Sequence, residues 1–466
     1  MPRVSRVRLL SSLCVFAGVA VAGCDSTRSL DPRSASGNAA LDRNGGGGKH
    51  DDSLAALVRG LAKMHGITPL VHPAPVRQAL VRLGQALAFD KILSGTRDIS
   101  CMTCHHPDLA TGDGRSLSIG QGGVGLGPNR VTGTGAFIAR NAPPLFNLFA
   151  QDKLFLDGRV SVDANGVFHT PAGSQLTPAM TRVFEFGAVS ALGMFPVTSP
   201  AEMRGTSGNE LASIAPDDFT DIWAGIMKRL GEIPEYRRMF EEAYPGKKFD
   251  DMNFAYASNA IAGFFVDQLS FTGTPWDRFL AGDDRALSDR QMAGAQQFLS
   301  LKCSVCHTGP TLSDRQFHDV AVAQIGPGEG NGPSGRDDFG RFNVTNDPAD
   351  LYRFRTSPLR NVELTGPYGH DGSIVDLRAF IEHYSESDKA LLAYNPFQLE
   401  PLLRGTLLNT SSAILAQRDT LLNGVVVPPA IVDQLTDYMS ALTDDAARDL
   451  HKLVPHKVPS GLVVDR

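Results

Sequence analysis

Two short strings, Cys101-Met102-Thr103-Cys104-His105 and Cys303-Ser304-Val305-Cys306-His307, concentrate the reactive side chains of this sequence. Two thiols three positions apart can each add across a vinyl group of a porphyrin, and the adjacent histidine then reaches beneath the ring to iron. With 6 cysteines and 12 histidines in 466 residues, one such string is already improbable by chance, and there are two. A zinc site shared by all four cysteines is the weaker reading, because about 200 residues separate the pairs and both adjacent histidines stay unexplained. Disulfides within each pair would close tiny loops, which are usually redox-active and staple little. The spacing therefore predicts two covalent haem c groups, attached through Cys101, Cys104, Cys303 and Cys306, with His105 and His307 on the irons.

Each string needs an element to hold it, and each follows an amphipathic helix. After Pro75, Val76, Leu80, Leu83 and Leu87 recur at helical spacing. Before the second string, Ser288 and Gln291 have capping-box spacing, and Met292, Ala295 and Leu299 form the apolar stripe. Helical patterns also run over 221–230, 234–243 and 254–269, and strand-like alternation is scarce. Phe271-Thr272-Gly273-Thr274-Pro275 breaks the pattern. The expected fold is mostly α, with two tandem cytochrome c-like domains over 51–272 and 273–450, long loops, and a tail over 451–466.

The balance of 44 Lys plus Arg against 50 Asp plus Glu leaves no basic face for nucleic acid. At the N-terminus Arg3, Arg6 and Arg8 precede an apolar run over 9–23 that is short for a bilayer span, and reads as an export signal. It ends Val21-Ala22-Gly23-Cys24, similar to the lipobox of bacterial lipoproteins, in which the cysteine after the cut carries lipid. Cleavage after small residues with Cys24 incidental is the alternative. Residues 24–50, with Gly45 to Gly48 in a row, suit a flexible tether. These features place the protein in the periplasm or cell envelope, with membrane contact only through a lipid on Cys24.

Further motifs occur in a fixed order: Asn141-Ala142-Pro143, Asp157-Gly158-Arg159, Pro200-Ala201-Glu202-Met203, Pro275-Trp276-Asp277-Arg278-Phe279-Leu280, Leu359-Arg360-Asn361-Val362, and Thr365-Gly366-Pro367-Tyr368-Gly369-His370-Asp371-Gly372. Together they resemble the bacterial di-haem cytochrome c peroxidases, including the MauG type that oxidises residues of a protein substrate. The resemblance covers most of residues 75–390. It implies an oxidoreductase that reduces hydrogen peroxide at the N-terminal haem, while the C-terminal haem relays electrons from a small c-type cytochrome, a copper protein, or another protein or organic reductant. A MauG-like oxidase of a protein or organic molecule and a non-enzymatic electron carrier are the alternatives, and a homodimer stays open.

By the same resemblance, Glu202 handles the peroxide protons, although Ser199-Pro200-Ala201-Glu202 also has capping-box spacing. Tyr384 occupies the position of the second axial ligand of the C-terminal haem, where the peroxidases proper have Met, and His383 is its neighbouring rival. A phenolate there favours oxidised iron, whereas Met raises the potential. The loop over 108–140 lacks the histidine that caps the peroxidatic iron in many members, so that iron is expected to be open. His106 is too near His105 in sequence to reach the opposite ring face. Asn141 and the carbonyls of Thr365 and Pro367 would bind calcium. Two positions depart from the family: Leu156 stands where Trp is common between the haems, and Leu192 where Gln is common ten residues before Glu202. Both weaken the expectation of fast peroxidase turnover. Trp223 and Trp276 receive no role.

Overall fold

A computed structural model describes residues 52–466. The signal segment, the tether and Cys24 lie outside the described residues. The chain is mostly helical. Among the described residues, strands are confined to a three-stranded antiparallel sheet of Lys153–Leu154, Val160–Val162 and Phe168–His169, and a pair, Phe317–His318 with Phe354–Arg355. None of the described helices is long and apolar enough to cross a membrane.

The stripe before the first cysteine pair forms helix Gln78–Phe89, with Leu80, Leu83 and Leu87 fully buried and Val76 buried just ahead of it. This helix packs on Phe254–Gln268, and at the crossing a Cβ on Gly84 would lie 1.9 Å from the carbonyl oxygen of Ala260. Only glycine lets the backbones come that close. The second lobe repeats the device. Helix Asp289–Ser300 begins with the expected capping box, the Ser288 amide donating to Gln291 Oε1 at 2.9 Å. It packs on Pro429–Ala441, and a Cβ on Gly294 would lie 1.9 Å from the carbonyl oxygen of Gln434. Each cysteine pair thus follows a helix locked against a long partner.

One apolar core gathers around Gln78–Phe89, Phe219–Gly231, Pro234–Ala243 and Phe254–Gln268, and another around Trp276, Asp289–Ser300 and Pro429–Ala441. The two ends of the described chain cross over. Ala55, Val58 and Ala62 of helix Asp52–Met64 belong to the second core, and Leu450, Leu453, Val458 and Val464 belong to the first. The helical spacing of the first set shows that a face is buried but cannot show against what. The packing therefore does not follow the linear order of 51–272, 273–450 and 451–466 at either end.

A buried ion network ties the lobes. Arg140 donates to Asp157 at 2.5 Å and, through two nitrogens, to Asp338 at 2.6 and 2.8 Å. Burial opposes charge on all three side chains, but their mutual attraction wins, keeping Arg140 protonated and Asp157 and Asp338 ionised. Arg140→Ala would leave two buried carboxylates short of their counterion, with an expected loss of about 3–5 kcal/mol. Chemical denaturation of the holoprotein measures it, and a loss under about 1 kcal/mol would contradict this account of how the lobes are joined.

Candidate functional site

Cys101–Cys104 and Cys303–Cys306 are each a single helical turn, so the two sulfurs of a pair sit on one side of a short rigid element. The following histidines are held alike. His105 Nδ1 lies 3.0 Å from the carbonyl oxygen of Thr111, and His307 Nδ1 lies 3.0 Å from that of Leu312. Donation through Nδ1 leaves the lone pair on Nε2, the tautomer a metal ligand needs. Both acceptors belong to non-glycine residues with left-handed backbone, φ 61° at Thr111 and 55° at Leu312. Such a conformation is costly, and for the β-branched Thr111 it is held by Oγ1, which accepts from the Leu145 amide at 2.8 Å.

Burial lowers the pKa of both histidines, keeping them neutral as ligation requires. It pushes the thiols of Cys101 and Cys303 up to about 12 and 11, and that of Cys104 up as well. In the second lobe Trp276 Nε1 and Tyr438 OH are buried without a hydrogen-bond partner, and Tyr438 lies within electrostatic reach of Cys303. Enclosed polar atoms of this kind call for a polar partner, which the propionates of a haem can supply. Paired thiols, preset histidines and orphaned donors fit a covalently held haem.

Each turn is also strapped by a distant part of the chain. Asp465 accepts from Thr103 Oγ1 and from Lys91 Nζ, both at 2.5 Å, and its carbonyl lies 3.3 Å from His106 Nε2. At the second turn His65 Nε2 lies 3.2 Å from Ser304 Oγ, and the His65 carbonyl accepts from Thr308 Oγ1 and the Gly309 amide. His106 is thus occupied at both ring nitrogens, Nε2 by the Asp465 carbonyl and Nδ1 by the Asp108 amide, which donates to it at 3.3 Å. Asp465→Ala is expected to destabilise the protein by about 1.5–3 kcal/mol, because it strips acceptors from a buried hydroxyl and an ammonium. Thermal unfolding with amide exchange at 101–106 checks this, and unchanged protection would show that the strap is idle.

The structure places Glu202 beside the first turn. Its carboxylate acts electrostatically on both Cys101 and Cys104. The capping-box alternative is only half realised. Ser199 Oγ accepts from the Glu202 amide at 3.3 Å, but the Ser199 amide bonds to Phe195 and Pro196 carbonyls, within a π-turn over Pro200–Arg204. The carboxylate instead faces Arg159, with Nη2 3.6 Å from Oε1. Burial raises the Glu202 pKa, and Arg159 and Arg140 partly offset it. Arg159 stood in the sequence only as part of an ordered motif; its place beside Glu202 depends on a tertiary contact between distant segments and left no local signal.

At the second turn, Tyr384 follows helix Leu377–His383. Burial, then Cys306 and Cys303, push its phenol up, so the ring is enclosed close to both thiols. His383 turns elsewhere: its Nε2 lies 2.8 Å from the Val320 carbonyl and its ring stacks on Phe380. His318, which sequence reasoning missed, is clamped between Asp314 at 3.0 Å and Asp419 at 2.6 Å. Asp314 foremost, with Cys306 and Asp419, raises its pKa to about 11. Cys306, Asp314 and His318 could together hold a metal ion, but a thioether at Cys306 would remove the thiolate from that set.

Asn141 and Thr365 line one cleft, with Asp113 beside them. The Asn141 amide nitrogen donates to the carbonyls of Arg115 and Ser116 at 2.8 and 3.2 Å, which turns its oxygen away from them. Pro367 follows Gly366, which lines the same cleft. Leu156 is buried between the lobes, its carbonyl accepting from the Arg355 amide at 2.8 Å, and Leu192 ends the helix Ala188–Leu192 against the first core. Trp223 is ordinary core, its Nε1 donating to Met194 O at 2.8 Å.

Residues 78–285 match the family model of the di-haem cytochrome c peroxidases. The chain is 32% identical to the cytochrome c551 peroxidase of Pseudomonas aeruginosa over 306 residues, 65% of this chain and 71% of that protein. It is 27% identical to the methylamine utilization protein MauG of Methylorubrum extorquens, over 67% of this chain and 71% of that one. The fold is similar to the crystal structure of a MauG-like protein associated with microbial copper homeostasis, at a TM-score of 0.56 and 24% identity, covering 82% of this chain and 94% of the other. The fold and its paired cysteine turns define a mostly helical protein with two C-x-x-C-H turns suited to covalent haem. The chain belongs to the di-haem cytochrome c peroxidase family, and with that membership come haem c cofactors and peroxidase-type oxidoreductase chemistry.

Proposed function

We propose that this protein is an exported di-haem peroxidase of the cell envelope, lipid-anchored at Cys24, that reduces hydrogen peroxide in its N-terminal lobe. Cys101, Cys104 and His105 would hold the peroxide-reacting haem; Cys303, Cys306, His307 and Tyr384 would hold the other. The haems, when bound, supply the redox chemistry: peroxide reduction at the first and electron relay from a reduced partner at the second. Everything else is done by the chain. Glu202 would take a proton from one peroxide oxygen and return it to the other, the leaving one. The Glu202 carboxylate is free of the capping box, partly buried and within electrostatic range of Cys101 and Cys104, and this placement carries the reading. Asp157 accepts from Arg159 at 3.1 Å and so fixes the guanidinium beside Glu202. A calcium ion at Asn141, Thr365 and Pro367 would brace the cleft between segments 112–114 and 365–367.

A MauG-like oxidase of a protein or organic molecule is the second reading, favoured by a buried Tyr384 within electrostatic range of Cys303 and Cys306 while His383 is bonded elsewhere. Stopped-flow mixing of the diferric protein with hydrogen peroxide tests the proposal. A rapid spectral change with peroxide consumed supports it; an unchanged spectrum with peroxide left intact would overturn it.

A further inference from the structure

By the resemblance to the family, Leu192 stands where Gln is common, and a leucine can neither donate nor accept a hydrogen bond. A cation lies beside Glu202. Arg159 Nη2 is 3.6 Å from Glu202 Oε1, and both side chains are about one quarter exposed. The guanidinium is fixed from two other sides. Arg159 Nη1 donates to Asp157 at 3.1 Å, and its central carbon lies 3.8 Å from the centroid of the Phe155 ring. Asp157 is in turn gripped by Arg140, so the pair is anchored in the buried network between the lobes. An arginine held on three sides, with one nitrogen aimed at the proton carrier, is preorganised to meet charge that develops there.

We propose that Arg159 is a second catalytic group, donating a hydrogen bond to the leaving oxygen of the peroxide in place of the missing amide. This deepens the reading of Glu202 given above and rests on it. Hydrogen peroxide takes two electrons from the reductant and two protons, its O–O bond breaks, and two waters leave. Glu202 carries the proton between the two oxygens. Arg159 stays protonated throughout and gives only hydrogen bonds and charge.

The test compares the wild-type holoprotein with Arg159→Leu, Arg159→Lys and Glu202→Gln, using two measurements. The first is fluoride affinity of the ferric protein, which responds to a donor near the bound anion without any turnover. The second is the pH profile of peroxide consumption. The charged groups facing Glu202 are Arg159, Arg140 and Asp157. Loss of Arg159 should therefore move the acid limb to higher pH. Expected for Arg159→Leu are fluoride binding weakened about tenfold, a peroxide rate lowered about 10- to 100-fold, and recovery of part of both in Arg159→Lys. If the leucine variant does not fold, the lysine variant and Arg159→Gln are read against the same wild type. Fluoride affinity and acid limb both as in wild type would overturn the role of Arg159. A wild type that ignores peroxide would overturn the peroxidase reading instead, and fluoride affinity would still judge Arg159.

Discussion

Replacing Glu202 with glutamine is expected to slow the reaction with hydrogen peroxide by about 10²- to 10⁴-fold, the span that positioned general acid–base groups contribute. The amide keeps the size of the side chain but cannot take up and return a proton. Haem attachment and fold should survive, because the Glu202 carboxylate makes no capping bond to Ser199. The wild-type pH profile carries the same prediction. Burial raises the pKa of this carboxyl above 4.5, so the basic form is lost, and the rate falls, as pH drops through that raised value. Glu202→Gln should lack that limb. A variant that reacts within a factor of about two of wild type at all pH values would remove Glu202 from the chemistry.

The second large effect is expected at Tyr384. Tyr384→Met should raise the potential of the C-terminal haem by a few tenths of a volt, within the roughly 0.8 V that axial ligands command, because a thioether stabilises the reduced iron that a phenolate disfavours. Spectroelectrochemical titration reads it directly. The N-terminal haem should be unmoved, since the charged groups around Glu202 are Arg159, Arg140 and Asp157 and the tyrosine is not among them. His383→Ala is the natural control. That ring is bonded to the Val320 carbonyl, so its loss should leave the potential of the C-terminal haem unchanged. A potential that follows His383 and ignores Tyr384 would exchange the two residues.

What was legible in the sequence and what was not separates along physical lines. Periodicity within one element is written locally, and the helices before both cysteine pairs, with the capping box at Ser288 and Gln291, emerged as read. Spacing set by a cofactor is also local, and it led to haem c before any packing was known. Contacts made over hundreds of residues leave no such trace. Asp465 meets Thr103 across 362 positions and His65 meets Ser304 across 239, and nothing in either string announces its strap. The same holds for Arg140 and Asp338, 198 positions apart. The capping box at Ser199 shows the opposite failure. Its residues have the right spacing, yet the π-turn over Pro200–Arg204 and the pull of Arg159 draw the glutamate away from the cap. A local rule yields there to a tertiary contact, as expected at functional positions.

Two unlike irons are proposed for this chain, one open beside Glu202 and one closed by Tyr384. Low-temperature EPR of the diferric protein as isolated tests that difference most directly. An open first iron and a closed second one predict a high-spin ferric signal that shifts on addition of cyanide, together with a separate low-spin signal that does not. Two low-spin signals, both indifferent to cyanide, would contradict it.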